Sequence, residues 1–321
     1  MIEYFLFIIG FALLIKGADL LVDGASSLAK KLGVPSLAIG LTVVAFGTSM
    51  PEFIVNLFSA LKGVTDVAVG NVIGSNIANI LLVLGSMALI RPVKVHRSTV
   101  WKEIPFSLFA ALILFVLSND LLIDKLNFSL LTRTDGIVMV SFFAIFLYYV
   151  FEVAKEKKRE MEDKKLEIKT YSSFTIVSML FFGIFGLFLG GKWVVEGAVK
   201  IASQLGVSEF LISATLVALG TSLPELVTSL VAVIKRDVDI AVGGIVGSNI
   251  FNIFWILGVT SLITPISLPE FINFDIMFLI FSTLALFLFT FIGKKHELDR
   301  WSGVVFLAFY VAYILFIVSR G

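Results

Sequence analysis

The chain has 321 residues, 58% of them hydrophobic, with a mean hydropathy of +1.02 and a formal net charge of +1. Soluble domains are about 45–50% apolar, and here the excess is gathered into runs of about 20 residues, the length that crosses a hydrocarbon core. A soluble globular fold is therefore excluded. So are disulfides and thiolate metal sites, since there is no cysteine, and the near-zero charge gives no sign of a nucleic-acid partner.

The apolar runs predict ten spans: 3–25, 36–61, 67–90, 101–119, 131–152, 174–200, 209–234, 240–263, 272–292 and 299–319. The first lacks a basic leader and a small-residue cleavage site, so it reads as a retained helix and not a signal peptide. Lys16, Asp19 and Asp23 in the first span, and Lys192 and Glu196 in the sixth, lie near the aqueous ends. There they would snorkel to the interface, with gating as the sharper alternative. The segment 152–173, "EVAKEKKREMEDKKLEIKTYSS", mixes charges without apolar periodicity. It reads as a solvated linker, too short for a regulatory domain. His96 and His296 both fall in charged inter-helix segments, so no histidine-based metal site is expected.

Internal repetition organises these spans. "GTSMPE" at 47–52 recurs as "GTSLPE" at 220–225, and "VGNVIGSNIANI" at 69–80 recurs as "VGGIVGSNIFNI" at 242–253. One offset of 173 relates both pairs and holds without a gap from Gly17/Gly190 to Pro92/Pro265. The expected fold is thus an all-α polytopic membrane protein of about ten helices, built from two five-helix copies, 1–152 and 174–321, joined by the linker 153–173. An odd number of spans per copy makes the second enter the membrane from the opposite side, an inverted-topology repeat. Basic residues follow this scheme. With the N-terminus outside, inner segments hold Lys30, Lys31, Arg91, Lys94, Arg97, Lys102, the run from Lys155 to Lys169, Lys235, Arg236, Lys294, Lys295 and Arg300. Outer ones hold only Lys62, Lys125, Arg133, Lys200 and Arg320. Both termini are then expected outside a cell membrane.

The chemistry concentrates in the repeated motifs. Inside a helix, Pro51 and Pro224 would free the carbonyls of Gly47 and Gly220, and free backbone at membrane depth survives only within protein or beside water. Glu52 and Glu225 follow directly, and a mid-membrane charge costs at least ~2.5–3.5 kcal/mol. Thr48 and Ser49, and their twins Thr221 and Ser222, stand one turn back on the same face. Ser75 with Asn79, and Ser248 with Asn252, form i, i+4 stripes on the third and eighth spans. If the copies pack about a pseudo-two-fold axis, these stripes meet at the midplane as an all-oxygen set that suits calcium or, in smaller groups, sodium. The patterns "GNVIG" (70–74) and "GGIVG" (243–247) would let backbones approach closely there.

Blander readings are weighed against this. A proline in a membrane helix is often only a kink, and Ser or Asn often only bridges helices. A Pro-Glu pair twice at equivalent positions is hard to explain structurally. Asn76 and Asn249 are also repeated but lie another way round the helix, where packing or backbone bonding is expected. An ion channel would use acidic rings too, but an inverted repeat in one chain favours a transporter. An intramembrane hydrolase is disfavoured, since no span pairs two aspartates or carries a histidine.

The stretches "AFGTSMPEF…VGNVIGSNIANI" (45–80) and "ALGTSLPEL…VGGIVGSNIFNI" (218–253) resemble the two α-repeats of the sodium/calcium exchanger family of the cation/calcium antiporters. The resemblance covers nearly the whole chain and fits a prokaryotic-type member without regulatory domains. It implies a non-enzymatic Na+/Ca2+ antiporter with no cofactor. Calcium would be held chiefly by Glu52 and Glu225, and sodium by Ser49, Ser75, Ser222 and Ser248 with carbonyls near Ala45 and Ala218. It also implies that the first and sixth spans slide against the rest to alternate access. Some relatives, potassium-dependent ones included, carry Asp where this chain has Asn252, which argues against potassium dependence and leaves stoichiometry open. Proton-coupled calcium exchange is the alternative, although the proton-coupled branch usually carries a different signature.

Overall fold

The computed structural model describes residues 2–123, 125, 129–162, 171–205, 220–269 and 271–320. Helices dominate: α1 (Ile2–Leu32), α2 (Ser36–Thr48), α3 (Met50–Leu61), α4 (Val67–Ile90), α5 (Thr99–Leu117), α6 (Arg133–Glu162), α7 (Ser173–Gln204), α8 (Leu223–Ile234), α9 (Val238–Ile263), α10 (Ile272–Phe289) and α11 (Arg300–Arg320). Eight of these are long and apolar enough to span a membrane, and the bent pair α2–α3 makes a ninth. The tenth expected span is represented by α8, its second half; 206–219 lie outside the described residues. The chain is a multi-pass membrane protein.

Two short ladders, β1 (Val93–Lys94) with β4 (Glu297–Leu298) and β2 (Leu130–Leu131) with β3 (Ile266–Ser267), each join one copy to the other. The helices interlock the same way. The end of α4 packs on α11, and the end of α9 packs on α6. Glycine permits both contacts: a Cβ on Gly303 would sit 2.7 Å from the Gly85 carbonyl oxygen, and one on Gly136 would sit 2.7 Å from that of Gly258. Gly85 and Gly258 are exact repeat partners at the 173 offset, so each copy's third helix docks on the other copy's fifth.

α1 and α7 run antiparallel as a pair of their own along facing glycines. Gly10 meets Gly190, and Gly17 meets Gly183 and Gly186. The small-residue pattern at Gly243 and Gly247 does bring α9 against Gly40 and Leu41 of α2. Its twin at Gly70 and Gly74 has no neighbour within 4 Å of a built Cβ among the described residues. The repeat equivalents of Gly40 and Leu41, 213 and 214, lie outside the described residues.

Two boundaries differ from the sequence reading. α6 continues to Glu162, about ten residues into the segment read as linker, because its Lys- and Glu-rich sequence is strongly helix-forming and pairs Glu152 with Lys155 at 3.6 Å. The span 36–61 is not one kinked helix; it breaks by 46°.

Loop contacts sort the ends of the bundle. Lys31 donates to Ser173 (2.5 Å), Ser26 to Asp237 (2.5 Å), and His96 lies 3.3 Å from Asp239. With the β1–β4 ladder, these gather the basic segments at one end. Tyr4 bonds Gln204 at the other.

Candidate ion-binding site

The break between α2 and α3 falls at Ser49 (φ −83°, ψ 5°), and its twin Ser222 has the same backbone (φ −87°, ψ 1°). Pro51 and Pro224 therefore lie in the first turn of a new helix, where a missing N–H costs nothing. This corrects the expectation of a proline inside a continuous helix. It also places Glu52 and Glu225 in the first turn of α3 and α8, at the positive ends of the half-helix dipoles. Both carboxylates are almost wholly buried, at 1% and 3% exposure.

Serines bind the copies together around them. Ser75 donates to Glu52 Oε1 at 3.4 Å, and Ser248 donates to Glu225 Oε1 at 3.3 Å, the same contact in each copy. Ser49 of the first copy also donates to Glu225 Oε1 of the second at 3.2 Å, and lies 2.6 Å from the Ser248 hydroxyl. The four oxygen-bearing stripes of α2–α3, α4, α8 and α9 thus meet in one cluster, as the repeat requires.

Four asparagines cross beneath it. Asn76 Nδ2 donates to the Asn249 carbonyl (3.2 Å), and Asn249 Nδ2 to the Asn76 carbonyl (3.4 Å). Their side-chain oxygens take Asn252 Nδ2 (2.9 Å) and Asn79 Nδ2 (3.0 Å). Asn79 Nδ2 also reaches the Ser248 hydroxyl at 3.2 Å.

What remains is a set of bare oxygens. Glu52 Oε2, Glu225 Oε2, Asn79 Oδ1, Asn252 Oδ1 and Ser222 Oγ are all buried without a hydrogen-bond partner among the described residues. Such atoms cost about 1–3 kcal/mol each when unmatched, and these five belong to residues of the two repeated motifs. No group of three or more His, Asp or Glu occurs among the described residues. Charge at the site therefore rests on two carboxylates and neutral oxygens, a hard set suited to calcium or sodium.

The remaining predicted residues divide. The Thr48 hydroxyl turns back on its own helix, 3.1 Å from the Val44 carbonyl and 3.4 Å from that of Ala45. The Ala45 carbonyl also accepts the Ser49 N–H at 3.0 Å. Thr221 instead bonds Asn71 Oδ1 at 3.1 Å. Ala218 lies outside the described residues. Asn71 was not singled out from sequence, because its repeat partner is Gly244 and repetition was the signal used. Lys16 pairs with Asp19 (2.8 Å) and Lys192 with Glu196 (3.8 Å), outside the cluster.

Residues 2–152 and 175–319 match the family described as sodium/calcium exchanger protein. Among curated proteins, the chain is 35% identical to the putative antiporter CaxA of Alkalimonas amylolytica, covering 95% of each. It is 31% identical to the sodium/calcium exchanger MaX1 of Methanosarcina acetivorans, covering 98% of each. Among solved structures, the sodium-calcium exchanger NCX_Mj superposes with a TM-score of 0.82 at 32% identity, covering 98% of each chain.

Proposed function

The chain belongs to the sodium/calcium exchanger family, and from that premise we propose that it exchanges sodium for calcium through the one midplane cluster, each side of the membrane being served in turn. One observation carries the proposal. The buried oxygens left bare at the centre come from both copies, two of them carboxylate, and together they can balance one divalent ion or two monovalent ones. Calcium takes about 6–8 oxygens. Glu52, Glu225, Asn79, Asn252 and Ser222 supply the first of these; Thr48, Thr221, Ser49, Ser75, Ser248 and the carbonyls of Ala45 and Ala218 complete the calcium and sodium sites.

Alternating access is supported by the way α1 and α7 lie. α1 packs along α8, whereas α7 makes no comparable contact with α3, its equivalent by the repeat, among the described residues. At the basic end α1 closes on α8 through Lys235 with Asp19 and Asp23. With basic segments facing the cytoplasm, both termini face outward, and 153–173 is a cytoplasmic connection between the copies.

Proteoliposomes test the coupling ion. Calcium-45 uptake driven by an opposing sodium gradient, at transporter rates, is the expected result. Uptake driven by a pH gradient with sodium absent would assign proton coupling, and gradient-independent flux at channel rates would overturn exchange altogether.

A further inference from the structure

The orientation of an asparagine amide is decided by its partners, because oxygen and nitrogen are near-equal in shape but opposite in hydrogen-bonding role. In this site the decision is made outside the ion's reach. Asn76 must turn its NH2 toward the Asn249 backbone carbonyl, since a carbonyl only accepts. Its own oxygen then faces Asn252, whose NH2 must point back to it at 2.9 Å. That leaves Asn252 Oδ1 as the bare atom. The mirror chain runs from the Asn76 carbonyl through Asn249 to Asn79, and leaves Asn79 Oδ1 bare. All four side chains are buried, at 2% exposure or less, so water cannot stand in for a missing partner.

We propose that Asn76 and Asn249 are positioning residues that lock the amides of Asn252 and Asn79, so that each presents its oxygen, and not its NH2, to the bound cation. The inference rests on the midplane site proposed above. It also explains why the copies exchange partners here: each copy's backbone sets an amide of the other copy, and that amide orients a ligand back on the first. Were either amide free to turn over, donor hydrogens would face a positive ion.

A double-mutant cycle separates this role from simple packing. Binding of 45Ca2+ and of 22Na+ to the detergent-purified protein is measured for wild type, Asn76→Ala, Asn252→Asp and the double variant. Aspartate has two oxygens and needs no orienting. Asn76→Ala should weaken cation affinity roughly 10–100-fold, the usual cost of losing a group that orients a ligand. In the Asn252→Asp background the same change should weaken affinity by no more than about twofold, the scatter of additive pairs. Asn249→Ala with Asn79→Asp should behave alike. Equal loss in both backgrounds, or no loss in Asn76→Ala, would overturn the proposal. The size-exclusion profile and melting temperature of each variant guard against misfolding, and an Asn76→Ala loss that tracks a lowered melting temperature in both backgrounds would count against positioning. If wild type binds sodium but not calcium, the exchange reading fails while the sodium cycle still decides the role of Asn76.

Discussion

The two copies agree in their glutamate–serine and crossed-asparagine contacts and differ most where the helices meet the aqueous ends. At the centre, Ser75–Glu52 and Ser248–Glu225 are the same contact at 3.4 and 3.3 Å, and the crossed asparagines obey the two-fold relation atom by atom. At the ends, one conserved-register lysine has different company. Lys235 pairs with Asp19 at 2.5 Å and Asp23 at 2.6 Å, tying α8 to α1. By the repeat, Lys192 and Glu196 take the places of Asp19 and Asp23 for its partner Lys62, and no ion pair joins Lys62 to them among the described residues. Asymmetry at the rims lets the two ends close with unequal strength.

The largest expected effect tests the symmetric half. Glu52→Gln and Glu225→Gln keep the side-chain shape and remove the charge, and each should reduce calcium transport in vesicles to background while the protein remains folded by size-exclusion chromatography. A large difference between the two variants would break the equivalence of the copies.

Packing equivalence comes next. Gly303→Leu and Gly136→Leu both force a side chain onto a facing backbone carbonyl. Overpacking of this kind typically costs about 1–3 kcal/mol, and the two variants should lower the melting temperature by similar amounts.

The rims should respond unequally. Lys235→Ala removes two partly exposed ion pairs, worth about 0.2–1 kcal/mol each, and should speed amide hydrogen exchange in the C-terminal half of α1. Lys62→Ala should leave α7 unchanged, and equal effects would erase the comparison.

The smallest effect concerns helix starts. Thr132 and Asp135 open α6 with a reciprocal cap, the Thr132 N–H reaching Asp135 at 2.7 Å. At α11 Asp299 itself is the cap, accepting the Ser302 N–H at 2.8 Å and its hydroxyl at 2.7 Å. Those bonds, led by the backbone N–H, hold the Asp299 carboxyl below its ordinary range. A depressed carboxylate stabilises the fold above its unfolded-state value and loses that contribution as pH falls through the folded one. Acidification below about pH 4 should therefore loosen the start of α11. In Asp299→Ser, which keeps a neutral cap, hydrogen exchange there should be independent of pH after correction for the intrinsic rate.

Much of this was legible in sequence because duplication turns weak motifs into strong ones. The equivalence of Glu52 with Glu225, and of Ser75 with Ser248, followed from one shared offset. The α2–α3 break at Ser49 was misplaced because a proline marks where a helix cannot continue, and the new helix takes that proline into its first turn. Asn76 and Asn249 were read correctly as backbone-bonding residues. Their grip on Asn252 and Asn79 was hidden, since it depends on which helix face crosses which. Asn71 and the partners of Lys235 could not be found by repetition, because they are the positions where the copies differ.

The central claim is that the two glutamates share one site, and the direct measurement is 45Ca2+ equilibrium binding at saturation to wild type, Glu52→Gln, Glu225→Gln and the double variant. A shared site predicts that each single variant loses as much binding as the double. Retention of half the bound calcium in each single variant would show two independent sites and contradict the account.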